Sequence, residues 1–147
     1  MSEFDEVTHQ RMRRNMQEQM AAAQKHHAIA PQRFLAAWIK GVRIVGESYF
    51  HHDAPLSDRN LQPAASLDTV TSKWQVSPNY EYILKNISVL SGGEAALLAT
   101  LCSFYNSEWG GELMREVGLN GMADVSAKLD LDGNQIVADL LINYTGW

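Results

Sequence analysis

Residues 77–107 constrain the fold more than any other stretch. SPNYEYILKNISVLS followed by SGGEAALLATLCSFYN reads as two consecutive, separately capped helices. In the first, Tyr80, Ile83, Leu84, Ile87 and Leu90 recur at three- and four-residue steps, the period of a helix with one buried stripe. Ser77 is placed to cap it and Pro78 to occupy its first position, where a missing N–H costs nothing. The second opens on Ser91-Gly92-Gly93-Glu94, the spacing of a capping box. Leu97, Leu98, Leu101, Cys102, Phe104 and Tyr105 then cover more than one face. A helix apolar on most sides must be surrounded by others, so residues 92–106 are expected at the centre of an all-α fold.

A chain of 147 residues has the size of one domain and buries about 68–70% of its extended-chain surface without needing a disulfide or a metal. A net charge of −5 argues against a surface given over to nucleic acid. Cys102 stands alone in an apolar run, so it reads as a small buried hydrophobe with a raised thiol pKa. MSEFDEVTHQ has neither a basic leader nor an apolar core, which predicts no secretory signal and cytoplasmic residence. The longest uncharged apolar stretch, Ala95 to Tyr105, is far short of the roughly 20 residues that span a bilayer, so no membrane role is expected.

Residues 1–29 read as a first unit, an amphipathic helix able to protrude and rich in Gln, Met, Ala and Arg, ahead of a core domain over 30–147. Ser2 is a plausible N-cap, and Glu3, Asp5 and Glu6 complement the positive end of the helix dipole. Met12, Met16, Met20 and Ala23 make a narrow stripe. Pro31 is expected to start a second helix running to about His52, with Phe34, Leu35, Trp38, Ile39, Val42, Val45 and Tyr49 on its buried face. Gly41 and Gly46 within it imply close approach of a neighbouring helix. A loop is expected over 53–62, and residues 66–76 read equally as helix or extended chain.

Downstream, Asn106 or Ser107 is expected to cap a helix ending at Gly118, with Leu119 closing back on Met114. A short helix over 121–129 follows, then a last one from Asp130 or Asp132 to about Tyr144, burying Leu131, Ile136, Val137, Leu140, Leu141 and Tyr144. The total is six or seven helices in orthogonal, bundle-like packing.

The chemistry-bearing patterns each fall short. GELMREVGLNGMADVSAKL has the apolar-Gly-apolar turn of a helix-turn-helix, but its second helix sets Asp124 and Asp130 against one Lys128, a poor face for phosphates. Glu47 and His51, at four-residue spacing on one expected helical face, could hold a metal with a third ligand. The adjacent pairs His26-His27 and His51-His52 otherwise read as solvated or dipole-stabilising side chains. DLDG at 130–133 lacks the spacing of a calcium loop. Glu108, Glu112 and Glu116 form an acidic stripe that reads as a solvated face. No phosphate loop, Gly-x-Ser-x-Gly elbow, His-Glu-x-x-His or Cys-x-x-Cys occurs.

No residue is therefore assigned a catalytic, cofactor-binding or metal-ligating role. The expectation is a non-catalytic interaction or assembly protein that meets a protein partner or a second copy of itself through the N-terminal helix. Arg11, Met12, Arg13, Arg14, Met16 and Met20 are its contact residues. The alternatives are a nucleic-acid-associated regulator using Arg11, Arg13 and Arg14, and a metal-dependent helical enzyme using Glu47, His51 and His52.

Overall fold

The computed structural model describes residues 2–52 and 61–147, so most of the loop expected over 53–62 lies outside the described residues. The fold is all-α. Six α-helices follow in order: α1 (Glu3–Val45), α2 (Tyr80–Asn86), α3 (Gly92–Tyr105), α4 (Ser107–Glu116), α5 (Met122–Lys128) and α6 (Leu131–Asn143). Two two-residue strands, β1 (Phe50–His51) and β2 (Ser77–Pro78), pair antiparallel between α1 and α2.

α1 is one helix where two were expected, since Pro31 lies inside it. An interior proline leaves the carbonyl four residues back without its N–H donor. Here that carbonyl belongs to His27, and both His27 and Pro31 are exposed, so water can serve the freed acceptor. Beyond Pro31 the packing of Phe34, Trp38, Val42 and Val45 holds the helix. Its end also comes earlier than His52. Gly46 adopts φ 116°, a conformation closed to side-chain-bearing residues, and breaks the helix before a 3₁₀ turn at Glu47–Tyr49. Gly46 is thus a terminator, whereas Gly41 does mark close approach: a Cβ there would sit 3.0 Å from a Leu101 methyl.

The start of the next helix also shifts. A residue preceding proline is pushed towards extended backbone. Ser77 accordingly pairs with His51, and Asn79 becomes the cap, its side chain accepting from Tyr82 N–H. The Asn79 N–H in turn donates to the Tyr49 carbonyl, 2.9 Å away. α2 lasts two turns before tightening into a 3₁₀ turn at Ile87–Val89, which rotates later residues out of register. Of the stripe expected there, Ile83 is fully buried, Ile87 and Leu90 are half-buried, and Tyr80 and Leu84 are exposed. Residues 66–76 are neither a helix nor a strand but two capped 3₁₀ turns, Leu67–Thr69 and Lys73–Gln75.

α3 is the centre, as its sequence demands. Seven consecutive residues, Ala96 to Cys102, are buried, and α1, α4, α5, α6 and β2 all pack on it. Glu94 N–H donates to Ser91 Oγ, and the Ser91 hydroxyl donates to the Glu94 carboxylate at 2.7 Å. Asn106 alone joins α3 to α4 and caps the latter through Trp109 N–H. The α4 terminus closes with Gly118 N–H to Arg115 O and Leu119 N–H to Met114 O, a complete Schellman pair. α6 runs back along α1, with Ile136 beside Gly41 and the Ile142 carbonyl accepting from His26 Nε2. Its buried face is Ile136, Val137, Leu140 and Asn143. Leu131 is instead 83% exposed because it occupies the first turn, off the end of the core, and Leu141 and Tyr144 fall to one side.

Candidate functional site

From Glu3 to Lys25 every residue of α1 is exposed. At 1.5 Å per residue this is about 34 Å of helix standing clear of the domain. It is well begun, since Ser2 and Asp5 cap it reciprocally. Its apolar side chains have nothing to cover them: Met12, Met16 and Met20 are 57%, 59% and 61% exposed. Among the described residues the one ion pair is Arg43–Asp68, so Arg11, Arg13 and Arg14 do not pair with Asp5, Glu6 or Glu18.

The methionine stripe has a definite phase. Met12, Met16, Met20 and Ala23 each precede by 22 residues, about six helical turns, the side chains Phe34, Trp38, Val42 and Val45. Those four are buried in the core. The exposed stripe is therefore the same helical face that binds the domain, continued past the domain edge at His26. The sequence carried this signal in its 4-4-3 spacing across the proline.

The second feature was not legible. Between β2 and the start of α4 lies an open cleft of about 600 Å³ walled by Tyr80, Tyr105 and Trp109 and rimmed by His51, Glu108 and Glu112. Tyr80 meets Trp109 edge to face at 4.7 Å, and Tyr105 meets it at 6.5 Å. Chain segments at 51, 77–80 and 105–112 converge here, and of this lining the sequence pattern marks the acidic stripe alone as a surface feature. Glu108, Glu112 and Glu116 are indeed exposed, but two of them border an aromatic hollow rather than open solvent.

The other candidates resolve into structure. Glu47 and His51 do not share a helical face, since α1 ends at Val45, Glu47 lies in a 3₁₀ turn and His51 in β1. Among the described residues no three His, Cys, Asp or Glu side chains converge as a metal set. Burial pushes the Cys102 thiol far up from its ordinary range, which removes the thiolate a nucleophile needs. At the helix-turn-helix-like corner, Lys128 Nζ donates to the Val117 carbonyl at 2.6 Å and Asn120 N–H donates to Asp124. The lone cation of α5 is thus engaged in closing the end of α4.

A smaller hollow of about 420 Å³ adjoins Lys73. Its ammonium lies over the rings of Trp147 and Phe34, 4.9 and 5.1 Å from their centroids, and donates to the Gly146 carbonyl. Desolvation lowers the Lys73 pKa. The cation holds residues 144–147 against α1 and so performs a packing role.

Comparison with known proteins yields no match: no family model, no curated protein and no solved structure aligns with this chain. No described helix is long and apolar enough to cross a membrane.

Proposed function

We propose that this protein is a non-catalytic interaction or assembly protein whose docking element is the free half of α1. One observation carries the reading: residues 3–25 are exposed throughout, yet present the methionine face that the same helix buries further along. Methionine's flexible, polarisable side chain suits a surface that is covered only on binding. Deleting residues 1–25 should leave the thermal midpoint of the domain nearly unchanged while abolishing the assembly seen by light scattering. A truncated protein that fails to fold, or a full-length protein that stays monomeric and binds nothing through this segment, would overturn the reading.

Nucleic-acid contact through Arg11, Arg13 and Arg14 is the second reading, supported by three exposed guanidiniums free of ion pairs with neighbouring acids. Its signature is a mobility shift that weakens steeply with salt and disappears when the three become glutamine. The metal-enzyme reading has no support from a shared helical face, since Glu47 lies in a 3₁₀ turn and His51 in β1.

A further inference from the structure

The helix and the cleft have matching chemistry. Arg13, Met16 and Met20 stand at i, i+3 and i+7, one face of α1, while Arg11 and Arg14 point elsewhere. The cleft offers three aromatic rings and two carboxylates. Thioethers pack favourably against aromatic rings, guanidiniums stack on tryptophan and pair with carboxylates, and an amphipathic helix laid into a groove is a recurrent docking mode. The free half of α1 cannot supply this match within its own molecule. It is a direct continuation of a helix fixed in the core, and all its residues stand exposed.

We infer that the Arg13–Met16–Met20 face of one copy docks in the cleft between β2 and α4 of a second copy. Glu108 and Glu112 receive Arg13 there, and Tyr80, Tyr105 and Trp109 receive the methionine side chains. Reciprocal exchange of the two helices closes a symmetric dimer in which each copy is both donor and acceptor. The inference rests on the assembly reading above and specifies where the helix goes.

A charge exchange in the full-length chain tests it. In Arg13→Glu, the altered helix faces an acidic cleft. In the double variant Glu108→Arg/Glu112→Arg, the native helix faces a basic one. All three positions are exposed, so both proteins should keep the wild-type circular dichroism and thermal midpoint. Sedimentation velocity should show the wild type self-associating and each variant alone weakened at least tenfold. An equimolar mixture should recover dimer, because in the mixed pair both helix–cleft contacts regain opposite charges. If the wild type associates but neither variant changes that, the cleft is not the acceptor, the inference fails and the assembly reading stands. Loss of association in Met16→Ser/Met20→Ser, with no effect of either charge variant, would point to pairing of the two helices with each other and would equally overturn the cleft. A wild type that remains monomeric overturns self-association itself.

Discussion

Gly110 shows how a single atom can be decisive. A Cβ placed there would lie 2.4 Å from both N and Cα of Ser103, backbone atoms of α3 that cannot turn aside. α3 and α4 are joined by Asn106 alone, and their contact depends on that missing methyl group. Gly111, one residue on, would meet only the end of the Arg115 side chain at 3.8 Å. Gly110→Ala should therefore cost about 3 kcal/mol from overpacking. Gly111→Ala should be neutral or gain up to about 1 kcal/mol from helix propensity. Urea titration of the pair separates steric from propensity effects, and equal outcomes would contradict the α3–α4 contact. Cys102 and Tyr49 make a pH argument at the same scale. Burial raises both pKa values, with Tyr82 and Glu94 adding to the shift at Tyr49. The folded state keeps those protons while the unfolded chain releases them, from ordinary values of 9.0 and 10.0. Their contribution is then complete below pH 9 and lost as pH rises beyond it. Lys73, with a lowered pKa, acts in the opposite sense below its ordinary value of 10.5. Comparing wild type with Cys102→Ala isolates the thiol: the variant's thermal midpoint should decline less between pH 9 and 10.

At the scale of elements, the helices that the sequence revealed best are those whose limits are set locally. α3 announced itself through Ser91, Glu94 and the run to Cys102. α4 and α6 follow from the caps Asn106 and Asp130, and the end of α4 from the glycine closure at Gly118. Asn106→Ala removes the cap of α4 and should cost about 1 kcal/mol. Leu101→Ala, by contrast, opens a cavity beside Gly41 in the middle of the core and should cost about 2–5 kcal/mol. Values below 1 kcal/mol for Leu101→Ala in denaturant titration would remove α3 from the centre. Where long-range packing decided, local signals misled. Pro31 reads as a helix start because local sequence does not contain the tertiary contacts that carry α1 through it. Ser77 looked like a cap because a two-residue ribbon with Phe50–His51 leaves almost no trace in sequence. The cleft was hidden for the same reason, since Tyr80, Tyr105 and Trp109 meet only once α2, α3 and α4 are folded. The methionine stripe is legible because it sits on one helix, whose periodicity is a property of sequence.

For the whole molecule, the structure joins a well-covered core to an uncovered arm, and the two differ in what can hold them. Most helical stability in proteins comes from packing an apolar face, so a segment without such packing is the less secure part of its helix. Residues 26–45 have that packing and serve as a preformed nucleus for the residues before them. Among the described residues, the hydrogen bonds of residues 3–25 are local: the Ser2–Asp5 cap, the Thr8 hydroxyl on the Phe4 carbonyl, and the helix's own backbone bonds. In dilute solution, amide hydrogen exchange should therefore grade from strong protection near Trp38 to weak protection near Thr8, each step back from the nucleus being less secure. Raising the protein concentration should reverse that gradient locally, with protection rising around Met16 and Met20 as their face is covered and the core amides unchanged. Coupling of this kind would tie the order of the arm to its occupancy. Uniformly strong protection over residues 6–25 at every concentration would mean that the helix needs no partner to stay ordered. The link between its exposed methionine face and assembly would then lose its thermodynamic basis.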